Sequence, residues 1–255
     1  MEAFHNDPLI KEYYFNRLNE HYKADEIIQG KYWENGKGCA VGCTIHSSDH
    51  DKYESKLGIP ICLAYLQDTI FEGLPNELAK VFPIEFLSVI KVGSNLSKVS
   101  KLFMIWVLTD EKYGVLQYAE DKKVIQDVAD AIEQDMVSLI SVEEWLELMD
   151  NALYYKKIAF NSAKKWLELM DNSLYTADEV ASAAYTTDIS SFYVVAISHS
   201  HAAAAAYSVA ASYSAFSSAS HAAVHAANAC ISKNTKSEYY IAASKKLIEL
   251  LKNAN

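Results

Sequence analysis

Apolar residues recur every three or four positions along most of this chain, which is the spacing that places them on one face of an α-helix. A polar cap followed by proline in the first turn, Asn6-Asp7-Pro8, predicts the start of a first helix that runs to about residue 29. Its predicted apolar face consists of Leu9, Tyr13, Phe15, Leu18 and Tyr22.

Helical spacing returns after an irregular, polar segment from Gly30 to Gly58. It predicts a helix from Ile59 to Phe71, two further short helices punctuated by Pro75 and Pro83, and a last helix from about Lys236 to Leu251.

Glycine and proline punctuate only the first part of the chain. All eight glycines and all four prolines lie in the first 114 residues, and both residue types are unfavourable inside helices. We therefore predict an all-α protein with an irregular N-terminal part, 1–114, and an array of long, packed, Ala-rich helices, 115–255. The two parts are also compatible with one continuous domain. Residues 101–119 fit either a helix or a β-hairpin, and the pattern favours the helix.

Two features of the second part predict close helix packing. Glu144–Tyr154 and Lys165–Tyr175 match at nine of eleven positions and are offset by 21, three heptads, so both copies present nearly the same face of one helix. Positions at intervals of three and four between Phe192 and Ala227 predict a coiled-coil seam, and the small residues at its centre would let two backbones approach closely. Such a seam is also compatible with a homo-oligomer.

Charge and composition exclude some classes of protein. The net charge is −10 and Arg17 is the only arginine, which argues against a nucleic-acid-binding protein. The uncharged stretch between Asp188 and Lys233 is rich in Ala, Ser, His and Tyr, so it does not predict a membrane span. We expect a cytoplasmic protein, because no secretory signal precedes the first helix and four cysteines do not make a disulfide framework.

The candidate chemistry lies in the Cys39–Asp51 loop, which holds Cys39, Cys43, His46, Asp49 and His50. Thiolates and imidazoles suit Zn²⁺, and both the cysteine pair and the histidine pair have a spacing of four. Only two residues separate Cys43 from His46, however, so four ligands would have to converge from a very tight loop. Zinc is therefore a possible cofactor that the spacing does not favour.

A second hypothesis for the same loop is nucleophilic catalysis. Cys39 follows Gly36-Lys37-Gly38 and is a candidate nucleophile at a helix N-terminus, with His46 or His50 as base and Asp49 as the group that orients the base.

The hypothesis we favour is structural. It predicts a compact turn over Gly36–Asp51 that packs against the first helix and the Ile59–Phe71 helix, with Cys39 and Cys43 buried and no metal bound. His221 and His225, four residues apart on a predicted helix, are weaker candidate metal ligands.

The segment GKGCAVGCTIHSSDHDKYESKLGIP, its continuation LQDTIFEGLP and the final KKLIELL resemble a family of bacterial and phage-encoded proteins that has no assigned activity. The resemblance therefore implies no catalytic residue, but it makes Cys39, Cys43, Asp49 and His50 the positions most worth testing. From the helical array we expect a phage-related or bacterial binding protein that associates with other proteins. The alternative is a Cys-dependent or metal-dependent enzyme that uses the Cys39–Asp51 loop.

Overall fold

The structure is a computed structural model that describes residues 2–119, 121–137, 141–169, 204–205, 218–229 and 236–255. Within these ranges the chain forms ten α-helices and one two-stranded ribbon, so the predicted all-α class is confirmed. The strands are β1 (Trp33–Glu34) and β2 (Lys37–Gly38). The helices are α1 (Pro8–Lys23), α2 (Ala40–Ile45), α3 (Lys52–Leu57), α4 (Ile61–Gly73), α5 (Asn76–Val89), α6 (Val99–Thr109), α7 (Lys122–Asp135), α8 (Val142–Leu169), α9 (Ser218–Ala229) and α10 (Lys236–Asn253).

The chain divides into two compact units. The first consists of residues 1–103 together with residues 240–255, and the second of residues 104–239. All the candidate residues of the Cys39–Asp51 loop therefore lie in the first unit.

Helix α1 begins where the sequence predicts. The Asp7 side chain accepts a hydrogen bond from the Leu9 N–H, and Pro8 occupies the first turn. The predicted apolar face is wrong in part, because Leu9, Tyr13 and Tyr22 are exposed. Leu18 and His21 are the buried residues of α1, and the Tyr13 ring contacts the Arg17 guanidinium instead of the core.

A tight hairpin precedes α2. Trp33 pairs with Gly38 and Glu34 with Lys37, and the turn between them is Asn35-Gly36, with φ angles of 52° and 82°. Positive φ at both turn positions is the type I′ geometry that Asn-Gly favours. The hairpin returns the chain to the residues after α1, because the Gly38 N–H donates to the Glu26 carbonyl at 3.1 Å.

Helix α2 follows the hairpin and packs against α1 and α4. A Cβ atom on Gly38 or Gly42 would overlap the Tyr32 carbonyl, so both glycines are required by the close approach of this backbone. Cys39 and Cys43 are fully buried. The two cysteines are buried and the segment packs against α1 and α4, as predicted, but the predicted compact turn is a hairpin followed by the helix α2.

The core of the first unit lies where α4 and α5 pack against each other, with α1 against α5 and α2 against α4. Pro83, predicted to punctuate a separate short helix, lies inside α5 instead, because Phe82 and Phe86 on either side pack into this core. A Cβ atom on Gly73 would overlap the Tyr240 ring, so α10 also packs against α4. The largest fully buried side chains here include Phe4, Leu18, Ile27, Ile45, Tyr53, Leu57, Phe71 and Phe86.

Residues 99–109 form helix α6, so the helix favoured over a hairpin is confirmed there. In the second unit α7 packs against α8. Helix α8 contains the first repeat copy and the beginning of the second, up to Leu169. The remainder of the second copy and most of the predicted seam lie outside the described residues. In the described part of the chain, the helices are too short or too polar to cross a lipid bilayer.

Replacing Gly42 with Ala tests the close approach to Tyr32. Alanine is the better helix former by about 1 kcal/mol, so an open site would be stabilised by the change. We expect the opposite, a loss of about 1–3 kcal/mol in the free energy of unfolding, because the new methyl group overlaps the Tyr32 carbonyl. Urea denaturation measures it, and an unchanged or raised free energy of unfolding would contradict this packing.

Candidate metal centre

Cys39 is the residue that caps the N-terminus of α2. Its backbone N–H donates to the Tyr32 carbonyl at 3.0 Å, and its Sγ accepts from the Gly42 N–H at 3.4 Å. These two hydrogen bonds and the close approach of Gly38 and Gly42 to the Tyr32 carbonyl therefore fix the direction of the thiol.

His50 reaches the same point from the segment between α2 and α3. Its Nε2 lies 3.7 Å from Cys39 Sγ, and the side chain is almost completely buried. Two tyrosine rings hold the imidazole: the Tyr32 ring meets it edge-on at 5.1 Å between centroids, and the Tyr65 ring lies at 5.8 Å.

Asp68, on α4, completes the group. One ligand atom from each of Cys39, His50 and Asp68 lies within 4.8 Å of the other two. Among the described residues these three form the only set of this kind, and they can hold a metal ion. Asp68 Oδ1 is buried and has no hydrogen-bond partner within the described ranges.

Burial dominates the electrostatics of the centre. It raises the pKa of the Cys39 thiol above its ordinary value of 9.0, and the charge of Asp68 and its hydrogen bond raise it further. Burial likewise raises the pKa of the Asp68 carboxyl, although the hydrogen bond with Cys39 and the proximity of His50 oppose the increase. Without a cation, the folded state therefore favours the neutral thiol. The preference of the folded state for the neutral Cys39 thiol stabilises the fold fully below pH 9.0, the ordinary pKa of the thiol. This stabilisation is lost as the pH rises through the higher pKa that Cys39 has in the folded protein.

Cys43, Asp49 and His46 are candidates from the loop that lie outside this group. The Cys43 thiol donates a hydrogen bond to the Gly38 carbonyl at 3.3 Å, and burial raises the pKa of this thiol to about 12. Asp49 is exposed and accepts from the Asp51 N–H, while its other oxygen pairs with Lys52 at 3.3 Å.

His46 lies at the opposite end of α2 from Cys39. It is the C-terminal cap, in the left-handed conformation with φ of 51°, and its ring stacks on Trp33 at 4.6 Å. Its Nε2 faces His21 Nε2 rather than the thiol. Burial, followed by the nearby charge of Arg17, lowers the pKa of His46.

Of the weaker pair, the side chain of His221 lies outside the described part of the structure. His225 is half-buried on α9, in the second unit.

Asp68 is the member of the group that the spacing of the loop residues does not predict. A signal was present, because Asp68 is the only charged residue between Ile59 and Phe71, in a helix otherwise suited to burial. A single carboxylate in such a helix must either find a partner or remain an unfavourable buried charge.

Comparison with protein-family models, with curated proteins and with solved structures finds no match to this chain.

The perturbed thiol gives a reactivity test on metal-free protein. We expect Asp68→Asn to lower the pKa of Cys39, because the substitution removes a negative charge that opposes thiolate formation. Alkylation of Cys39, located by mass spectrometry and followed against pH, should begin at lower pH in this variant. Asp49→Asn removes an exposed carboxylate and should leave the curve unchanged. Equal curves for Asp68→Asn and the unsubstituted chain would contradict the assigned contact.

Proposed function

We propose that this chain is a zinc-dependent enzyme in which Cys39 Sγ, His50 Nε2 and the Asp68 carboxylate bind the metal ion. The observation that carries the proposal is the convergence of these three atoms within 4.8 Å of one another. Thiolate, imidazole and carboxylate are the ligand types that Zn²⁺ takes in proteins.

The distance between the first two ligands matches the size of a zinc ion. With usual bond lengths, roughly 2.3 Å to sulfur and 2.0–2.1 Å to nitrogen, a tetrahedral zinc holds the two atoms about 3.6 Å apart. Cys39 Sγ and His50 Nε2 lie 3.7 Å apart. The rings of Tyr32 and Tyr65 and the cap position of Cys39 maintain this separation without the metal.

The charges also support a cation. A buried carboxylate oxygen without a partner costs about 1–3 kcal/mol or more, and Asp68 Oδ1 is such an atom within the described ranges. A divalent ion at this point would pair with Asp68 and stabilise the Cys39 thiolate, which reverses the pKa preferences of the metal-free site.

Three protein ligands are typical of catalytic zinc sites, in which water or substrate takes the fourth position. A zinc-bound water is acidic enough to supply hydroxide near neutral pH, and the metal polarises a carbonyl or phosphoryl oxygen. Metal-assisted hydrolysis is the reaction class that this ligand set supports.

Nucleophilic catalysis by Cys39 is the second candidate, because the thiol caps a helix and lies 3.7 Å from an imidazole. The electrostatics favour it less. A nucleophilic cysteine needs a lowered pKa, whereas burial and Asp68 raise the pKa of this thiol. Association with proteins through the Ala-rich helices stays a prediction, and most of the residues that would carry it lie outside the described ranges.

Metal content tests the proposal on the full chain. We expect one zinc ion per chain to be lost in Cys39→Ser, His50→Gln or Asp68→Asn, with the affinity lowered at least about tenfold. The matched controls are Cys43→Ser and Asp49→Asn, which are close in sequence and outside the group. Elemental analysis after equilibration with zinc measures the content, and circular dichroism confirms that each variant is folded.

Cobalt substitution separates a catalytic site from a structural one. A thiolate-to-cobalt charge-transfer band, absent in Cys39→Ser, is expected from a Cys39 ligand. Added azide should change the visible cobalt bands if the fourth position is open. Cobalt bands that azide does not change would indicate a metal site with no open position and would overturn the enzymatic part of the proposal. Equal zinc content in all variants would overturn the metal site itself.

A further inference from the structure

A second convergence of side chains lies at the other end of α2. His21, on α1, and His46, the C-terminal cap of α2, face each other with their Nε2 atoms 2.7 Å apart. Both residues line a cleft of about 530 Å³, and Glu20 and Glu26 also line it. His21 is buried and His46 is exposed, so the pair is accessible from the His46 side.

Glu26 fixes the orientation of the buried ring. Its Oε2 lies 2.6 Å from His21 Nδ1, so the carboxylate accepts a hydrogen bond from the Nδ1–H, which leaves the Nε2 lone pair of His21 facing His46. A carboxylate on the far nitrogen of a histidine is the usual support of a histidine that binds metal.

Trp33 fixes the second ring. Its indole stacks on His46 with an angle of 12° between planes, and it meets His21 edge-on at 5.5 Å. Both imidazole planes are therefore set by the same aromatic side chain, while their Nε2 atoms point at one position.

We propose that His21 and His46 bind a second divalent transition-metal ion through their Nε2 atoms, with Glu26 as the positioning residue. Two facing imidazole nitrogens hold a single proton between them, and a metal ion takes its place. A tetrahedral zinc ion with two histidine ligands separates their nitrogens by about 3.3 Å. His46 must therefore withdraw by about 0.6 Å, which its exposed position allows.

The chemistry of this pair differs from that of the Cys39 centre. Two nitrogen ligands without a thiolate favour Ni²⁺, Cu²⁺ and Zn²⁺. The remaining coordination positions face the cleft, where water or a ligand supplies them. This inference does not depend on the proposed zinc enzyme, because the two sites share no residue.

Nickel binding by the full chain distinguishes the two sites, and equilibrium dialysis counts the ions. The exposed ligand is replaced by asparagine, which tolerates the left-handed conformation of position 46. We expect His46→Asn to bind one Ni²⁺ fewer than the unsubstituted chain. If nickel also occupies the Cys39 centre, Cys39→Ser loses one as well and the double variant loses two. A His46→Asn variant that binds as many ions as the unsubstituted chain would overturn the inference, whatever Cys39→Ser does.

Glu26 has a matched control in Glu20, a carboxylate of the same cleft. Loss of a carboxylate that supports a metal-binding histidine weakens affinity by about 10–100-fold. We expect Glu26→Gln to show this loss and Glu20→Gln to bind nearly as the unsubstituted chain does. Paramagnetic Ni²⁺ at this site should quench the fluorescence of Trp33, and subtraction of the Trp33→Phe signal isolates that residue's emission. The quenching should disappear in His46→Asn. Equal weakening by Glu20→Gln and Glu26→Gln would indicate general attraction by negative charge and would refute the assigned role of Glu26.

Discussion

The backbone carbonyl of Tyr32 is the contact on which the arrangement of the first unit depends. It accepts the Cys39 N–H, and Gly38 and Gly42 approach it so closely that neither tolerates a side chain. The ring of the same tyrosine lies against His50. One residue thereby sets the position of α2, the direction of the thiol and the orientation of the imidazole. Helix α2 has only six residues and would not be stable alone, so this packing replaces the stability that its own length cannot give.

The candidate centre is unfavourable for a fold that holds no cation. Asp68 places a carboxylate in an apolar helix, next to a buried thiol whose ionisation it opposes. An apolar residue at either position would remove this cost, since a buried charge is expensive unless it is paired. The metal ion that we propose for this centre would pair with Asp68 and with the Cys39 thiolate and so remove the cost.

The sequence predicts much of the fold and only part of the centre. Helix starts are readable because local rules decide them, as with Asp7 and Pro8 at α1. Asn35-Gly36 is a strong signal for a two-residue hairpin turn, although it lies in a segment, Gly30 to Gly58, whose overall pattern predicts irregular structure. The buried face of α1 was not predictable from spacing, because tyrosines such as Tyr13 also pack at the surface, against Arg17.

A spacing of four residues predicts that Cys39 lies beside Cys43, and His46 beside His50, on one face of a helix. The structure pairs Cys39 with His50 instead, because α2 ends at His46 in a left-handed residue and the chain changes direction there. A helical spacing has meaning only inside one helix. Asp68, 18 residues beyond His50, joins the group through tertiary packing of α4, which no local pattern encodes.

The first unit is built from two segments that the ribosome synthesises at different times. Residues 1–103 leave the ribosome well before residues 240–255, and at 5–20 residues per second the interval is on the order of ten seconds. During that time the surface of α4 that later packs against Tyr240 has no cover from α10. The nascent chain must carry the two cysteines, the imidazoles and Asp68 in an incomplete fold throughout this period. Any metal ion taken up by the proposed centre during this interval would therefore meet the unit before α10 completes it.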